Sequence, residues 1–217
     1  MVKKLLLCII LMIAMLQAKA QVPYFAGTVG DGKLYGYTSL KLRPGINAQE
    51  TYTCFQYGLG DSFATGADIY TGVGSTYWGI LLRYGAKISP WFNIGAQVTP
   101  SFNLNDNFNY SYTTAAMYMN GQISSDGKLF WCSNTWWGIN EGAKNTITNW
   151  EFLGYTMKVG NNSITPMVGL LHSWEFNQDA DIAVGAYYSV GKFNLYLWGN
   201  DILKDNPRIV VGVDFVL

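Results

Sequence analysis

The chain has 217 residues, of which 49% are hydrophobic, 16% aromatic and only 13% charged, and this low charge excludes a chain that is disordered throughout. The 14 Lys and Arg residues balance the 14 Asp and Glu residues, which excludes a strongly basic nucleic-acid binder. The 8 Trp, 15 Tyr and 11 Phe residues, together with 24 glycines, instead favour an all-β protein.

The first twenty residues have the layout of a cleaved secretory signal. Lys3 and Lys4 precede an apolar run over 5–16, and the small-x-small pattern at 18–20 follows it. The apolar run is shorter than the roughly 20 residues of a membrane-spanning helix. Cys8 lies inside the run rather than at its end, which argues against a lipid-anchored cysteine. We expect residues 1–20 to be removed during export.

After residue 20 the chain alternates between apolar and polar side chains, which is the pattern of β-strands with two different faces. The stretch 91–103 is an example, because every second residue from Phe92 to Phe102 belongs to one apolar set. Glycine-rich and polar turn signals separate these stretches. They predict twelve strands, with ten as the alternative, at 33–43, 49–58, 61–72, 76–87, 90–103, 111–122, 127–138, 147–159, 163–175, 180–190, 192–200 and 207–217.

The predicted connections fall into two alternating groups. Short turns are expected at 58–60, 89–90, 124–126, 160–162 and 191–192. Longer polar connections are expected between them, at 44–48, 104–110, 139–146, 176–179 and 201–206, and a shorter one at 72–75. Short turns at one end and longer loops at the other are typical of outer-membrane barrels.

The signal, the even strand number, the two groups of loops and the closing sequence RIVVGVDFVL (208–217) resemble the small porin-like outer-membrane β-barrels of Gram-negative bacteria. The resemblance is one of pattern and covers the chain after residue 20. Such barrels often end in an aromatic residue, whereas this chain ends in Leu217, with Phe215 two positions earlier on the same face. The resemblance implies an all-β, antiparallel, up-and-down transmembrane barrel over 33–217, with the lipid bilayer as its partner and a monomer as its state.

Residues 21–32 precede the first predicted strand. They are expected to lie in the lumen as a small plug, to pack at the periplasmic rim, or to add a strand. The glycines at 27–32 lack the strand–turn–helix context of a phosphate-binding loop.

The barrel interpretation assigns one face of each strand to the lumen. The predicted lumen-lining residues are Tyr37, Lys41, Tyr52, Asp68, Tyr77, Arg83, Asn93, Gln97, Tyr118, Glu151, Asp181, Tyr187, Tyr196 and Trp198. Tyr35 and Tyr70 are expected on the same inward face. Aromatic rings mixed with amides suit uncharged or weakly polar solutes such as sugars or nucleosides. The alternative is that these rings fill the interior, because twelve strands lie between filled and open barrels.

Tryptophans near the predicted strand ends suggest aromatic girdles at the two membrane interfaces, with a soluble core as the alternative. The candidates are Trp78, Trp91, Trp150, Trp174 and Trp198.

Few residues in the sequence indicate a catalytic or metal-binding site. His172 and Ser173 are adjacent, so a strand turns them to opposite faces, and a lipid hydrolase using them with Glu175 is a minor alternative. Neither a metal nor another cofactor is expected, and Cys54 and Cys132 are predicted to be free, buried thiols. The function predicted is a narrow solute channel that is not an enzyme. A closed barrel that recognises partners through the loops 104–110 and 139–146 is the second candidate.

Overall fold

A computed structural model describes residues 27–44, 48–72, 74–140, 146–173 and 180–217, so the predicted signal at 1–20 lies outside the described residues. The strands are β1 (Leu34–Arg43), β2 (Ala48–Gly58), β3 (Phe63–Gly72), β4 (Ser75–Ser89), β5 (Phe92–Asn103), β6 (Asn109–Gln122), β7 (Leu129–Asn140), β8 (Thr146–Tyr155), β9 (Met157–Val159), β10 (Asn162–Ser173), β11 (Asp181–Val190), β12 (Phe193–Asn200) and β13 (Arg208–Val216). Thr156 separates β8 from β9, and both pair with β10 as one interrupted barrel strand. The prediction of twelve strands is therefore confirmed.

The sheet closes on itself through its first and last strands. Each barrel strand pairs with its sequence neighbour in antiparallel fashion, and β1 also pairs with β13, from Tyr35 opposite Val216 to Leu42 opposite Ile209. Closure leaves no open strand edge, so the backbone N–H and C=O groups of the strands bond to one another. No helix of the described chain has the length and apolar character needed to cross a membrane.

The strand connections sort by length only in part. The two chain ends of the barrel and the two-residue turns 90–91, 160–161 and 191–192 lie at one end, called here the turn end. Gly160 and Gly191 begin two of these turns with φ of 61° and 57°, a left-handed conformation that glycine adopts without steric cost. The opposite, loop end carries the two longest connections, 174–180 and 201–207. However, the six-residue connection 123–128 lies at the turn end and the two-residue connection 73–74 at the loop end.

A local hydrogen-bond network shapes the turn 123–128. Ser124 Oγ donates to Asp126 Oδ1 over 2.6 Å, and the Lys128 backbone N–H donates to the same oxygen over 3.1 Å. The Lys128 ammonium lies 2.9 Å from Asp126 Oδ2. The Ser124 hydrogen bond, followed by those from Lys128, holds the pKa of the exposed Asp126 carboxyl below its usual value.

The outer face of the barrel is apolar and the inner face is polar and aromatic. Leu82 and Leu197 on the outer face are 54% and 57% exposed. Trp91 is 60% exposed at the turn end, and Trp78 packs on the Phe108 ring at the loop end, with 5.4 Å between ring centroids. These two tryptophans therefore lie where interfacial girdles are expected.

The girdle prediction is wrong for Trp150 and Trp198, because both side chains face the interior. The indole N–H of Trp198 donates to the hydroxyl of Tyr187 over 2.8 Å, in a buried contact. A position near a strand end does not decide which face a tryptophan takes, because the alternation of the strand decides it. Trp174 lies outside the described residues.

Glycines make room for the aromatic rings inside the barrel. A Cβ atom built on Gly185 would lie 2.3 Å from Cδ2 of Trp198, and one built on Gly212 would lie 2.3 Å from Cζ of Tyr196. In four cases the glycine lies directly opposite the aromatic residue on the neighbouring strand: Gly154 opposite Phe130, Gly169 opposite Phe152, Gly185 opposite Trp198 and Gly212 opposite Tyr196. The large rings consequently lie against the barrel wall instead of pointing across the lumen.

We expect the substitution Gly185→Val to destabilise the barrel, because its side chain would displace the Trp198 ring from the wall. Overpacking of this kind typically costs about 1–3 kcal/mol. The measurement is the temperature at which the compact band in heat-modifiable gel migration converts to the unfolded band, which should fall.

Ala186→Val is the matched control, because it adds similar volume on the lipid-facing side of the same strand. It should leave that temperature nearly unchanged. An equal decrease for both variants, or no decrease for Gly185→Val, would contradict the ring-on-glycine packing.

Candidate functional site

A cavity of about 690 Å³ occupies the interior of the barrel. Along β1 it is lined by every second residue from Tyr35, near the turn end, to Arg43, at the loop end. That distance is about 27 Å of strand. Ten of the predicted lumen-lining residues lie on this cavity, namely Tyr37, Lys41, Tyr52, Asp68, Arg83, Gln97, Tyr118, Tyr187, Tyr196 and Trp198.

Three further predicted residues lie at inner-face positions without lining this cavity. Tyr77 packs its ring against Tyr112, with 5.3 Å between centroids. Asn93 is opposite Asn120 near the turn end. Asp181 is 2% exposed, and its carboxylate lies 3.9 Å from the Lys204 ammonium.

The prediction that Glu151 faces the lumen is wrong. Its neighbours Trp150 and Phe152 take the inner positions, since Trp150 lines the cavity and Phe152 is 2% exposed. Glu151 is exposed on the outer face, opposite Ser133 on β7. The sequence TITNWEFLGY of β8 does not alternate clearly, and an error of one residue reverses the face of every side chain in a strand.

Sequence reasoning missed three aromatic residues that line the cavity: Tyr112, Trp136 and Trp150. Trp136 and Trp150 come from β7 and β8, where the period-two pattern is weakest. Strand pairing shows which face these residues take. Ala116 lies on β6, a strand that alternates clearly, and it is opposite Trp136. Trp136 is in turn opposite Thr148 on the inner face of β8.

The aromatic lining forms three groups of contacting rings, one of which joins Tyr70, Tyr77 and Tyr112 over centroid distances of 6.1 and 5.3 Å. On β1 and β2, Tyr37 lies 5.7 Å from Tyr35 and 5.2 Å from Tyr52 between centroids. A longer series crosses β6 to β12 through Tyr118, Trp136, Trp150, Phe152, Trp198 and Tyr187, with successive centroids 4.7–6.0 Å apart. Contacting rings of this kind offer a series of flat apolar surfaces along the cavity.

Charged side chains gather at the loop end of the cavity, where cations face carboxylates. Arg43 Nη2 lies 2.7 Å from Asp201 Oδ2, and Lys204 Nζ lies 3.8 Å from Asp201 Oδ1. Lys41 Nζ lies 3.9 Å from Glu50 Oε2 and over the rings of two tyrosines. Because cations and carboxylates are close together, the loop end presents no uniform field of one sign.

Arg83 connects the barrel wall to the segment that precedes β1. Its Nε–H donates to the carbonyl oxygen of Gly27 over 3.0 Å, and its Nη1 donates to Gln97 Oε1 over 3.1 Å. The guanidinium also stacks on the Tyr118 ring, 4.2 Å from the centroid. Residues 27–29 line the cavity, so the Arg83 contacts join this segment to the wall formed by β4, β5 and β6.

Two wall glycines accommodate this segment, and residues 27–32 are called here the inner segment. A Cβ on Gly58 would lie 1.8 Å from the Gly30 carbonyl oxygen, and one on Gly85 would lie 2.6 Å from the Gly27 carbonyl carbon. Thr28 Oγ1 donates to the Asp61 carbonyl oxygen over 2.7 Å. The inner segment therefore lies directly on the inner wall at the turn end.

Polar side chains form part of the cavity wall. Within the described residues, neither the side-chain amide of Asn200 nor Oδ2 of Asp214 has a hydrogen-bond partner, although both residues line the cavity. Buried polar atoms without protein partners are normally hydrated. The interior is therefore not a purely apolar core.

The described residues form no cluster of His, Cys, Asp and Glu that fits a metal ion. Cys54 and Cys132 are free and buried, as predicted. His172 is opposite Asn149 on β8, and Ser173 is opposite Thr148. Glu175 lies outside the described residues.

Comparisons with known proteins find a likeness in structure alone. No protein-family model matches the chain, and no curated protein matches it. The solved structure of the KdgM porin is similar, with a TM-score of 0.61 and 11% identity over 83% of this chain and 98% of that chain. The KdgM porin in complex with disordered oligogalacturonate is similar too, with a TM-score of 0.60 and 10% identity over 84% of this chain and 98% of that chain. The chain therefore has the fold of the outer-membrane porin barrels.

Proposed function

We propose that the chain is an outer-membrane channel that passes small uncharged or weakly polar solutes through the barrel lumen. Residues 1–20 then serve as the export signal. The observation that carries this proposal is the cavity of about 690 Å³, which runs along the strands between contacting aromatic rings and polar side chains.

The rings and amides of the lumen are the groups that recognise sugar-like solutes. An aromatic face packs against the apolar face of a sugar ring, while amides and hydroxyls bond to its hydroxyl groups. Because the inner-face glycines let the large rings lie on the wall, the rings supply this surface and leave space for a solute.

The charges of the lumen favour neutral over strongly charged solutes. Lys41, Arg43 and Lys204 each face a carboxylate within 4 Å. An anionic solute would have to compete with these carboxylates for the cations. The KdgM porin has been solved with oligogalacturonate, and the paired charges of this chain are the reason why we propose neutral rather than acidic saccharides.

The inner segment narrows the lumen at the turn end in this proposal. It lies on Gly58 and Gly85, and Arg83 holds it through the Gly27 carbonyl. A solute would pass the loop-end charges first, then the aromatic wall, and finally the part of the lumen that the inner segment leaves open at the turn end.

A liposome-swelling assay tests the proposal. Liposomes that contain the purified protein should swell in isotonic solutions of a neutral monosaccharide. Tyr37→Leu should weaken solute binding in the lumen, so the swelling rate should saturate at a higher solute concentration. Loss of one aromatic contact of about 0.5–1.5 kcal/mol corresponds to binding about 2- to 10-fold weaker.

Tyr57→Leu is the control, because Tyr57 is 48% exposed and lies on the outer face of the neighbouring strand. It should leave uptake unchanged. No swelling above protein-free liposomes would contradict the channel and favour the closed, partner-recognising barrel.

Arg83→Gln tests the narrowing by the inner segment. The variant loses the bond to the Gly27 carbonyl and a positive charge at the constriction. We expect a larger single-channel conductance and a reversal potential shifted toward cation selectivity.

Arg83→Lys separates the two effects, because it keeps the charge and loses the forked, stacked geometry of the guanidinium. It should raise the conductance with little change in reversal potential. Unchanged conductance in both variants would show that the inner segment does not limit flow.

A further inference from the structure

The outer face of β7 and β8 carries a block of polar side chains at mid-strand. Thr135 is directly opposite Asn149, and Ser133 is directly opposite Glu151, so the four residues occupy two successive cross-strand pairs. They are called here the outer polar block. Of the carboxylates in the described strands, Glu151 alone lies on the outer face, because Glu50, Asp68, Asp181 and Asp214 lie at inner positions.

The outer polar block is held together by its own hydrogen bonds. Ser133 Oγ donates to Glu151 Oε1 over 2.6 Å, and Asn149 Nδ2 donates to the same oxygen over 2.9 Å. Thr135 Oγ1 donates to Asn149 Oδ1 over 2.9 Å. Within the described residues Oε2 of Glu151 accepts no hydrogen bond, and Asn149 keeps one N–H that is not used in this network.

Apolar residues border most of the block on the same face, and His172 on β10 is opposite Asn149. Trp131 and Trp137 flank it along β7, and Leu153, which is 49% exposed, follows it along β8. Leu170 on β10 and Met119 on β6 lie beside it, opposite Glu151 and Ser133 respectively. The block therefore lies within the apolar band of the outer face, and not at an aqueous end of the barrel.

Such a block is unfavourable against lipid. A carboxyl group and an amide near the bilayer midplane have no water to replace their missing hydrogen bonds, and residues of this kind almost always contact protein or a water-filled space. We propose that this face is a contact between two copies of the chain within the membrane. The inference rests on the proposed placement in a bilayer, and it replaces the expectation of a monomer.

A second copy fits because the block is complementary to itself. It contains an unused donor on Asn149 and an unused acceptor on Glu151, and a two-fold axis brings the donor of each copy to the acceptor of the other. Bonds of this type between polar side chains hold membrane segments together. The flexible side chain of Met119 and the apolar side chains that border the block form the apolar part of the contact.

The test is the mass of the purified protein in mild detergent and in nanodiscs, measured by native mass spectrometry. Wild-type protein should have the mass of two chains. Glu151→Leu and Asn149→Leu should each weaken the dimer at least tenfold, which corresponds to about 1.4 kcal/mol. Glu151→Gln should weaken it as well, because its one amide oxygen accepts from Ser133 and Asn149 while the acceptor that faces the partner copy becomes an N–H donor.

Thr53→Val is the matched control. Thr53 and Thr38 form a hydrogen-bonded pair of 2.9 Å on the outer face of β1 and β2, away from the block, and its loss should not affect the dimer. A wild-type protein of one chain in both media, a dimer that is as tight in both leucine variants, or a different protein bound at the block in native membranes would overturn the proposal.

Heat-modifiable migration of each variant distinguishes a lost contact from a lost barrel. Leucine suits a lipid-facing position, so both leucine variants should keep the heat shift. If Glu151→Leu alone loses the heat shift, the mass of the Asn149→Leu variant tests the dimer. Loss of the heat shift in the wild type itself would contradict the membrane barrel rather than the dimer.

Discussion

The closure of β1 against β13 is the constraint on which the remaining structure depends. A bilayer offers no hydrogen-bond partners, so a sheet that spans it must pair every strand edge. Closing twelve strands in this way requires each strand to pair on both of its edges, and the pairing of Tyr35 with Val216 is part of the last seam. It also forces every side chain to take one of two environments, the lipid or the lumen.

Glycine and aromatic residues together determine how the interior of the barrel is packed. A barrel of this size encloses little space, and the lumen carries tyrosines and tryptophans from most of its strands. Where glycine lies opposite a ring, as with Gly185 and Trp198, the ring lies flat on the neighbouring strand. The same packing stabilises the wall and keeps the cavity from being filled, so the abundance of both residue types has one physical cause.

The sequence predicts the barrel well because alternation and turn chemistry are local. The strands β1 to β6 and β10 to β13 alternate clearly, and their inward residues, such as Tyr37, Arg83 and Tyr187, lie on the cavity. β7 and β8 are different, because polar residues occupy both of their faces. Their sequences therefore do not alternate between apolar and polar residues. The face of Glu151, the lumen positions of Trp136 and Trp150, and the course of the inner segment over Gly58 depend on pairing and on close backbone approach, which local patterns do not encode.

The proposed function requires that water and small solutes pass through the lumen. Single-channel recording of the purified wild-type protein in planar lipid bilayers tests it most directly. Discrete conductance steps with weak ion selectivity are expected, because the loop-end cations Lys41, Arg43 and Lys204 lie beside carboxylates. Protein that inserts, as shown by its heat-modifiable migration, and yet gives no steps at any voltage or salt concentration would contradict it.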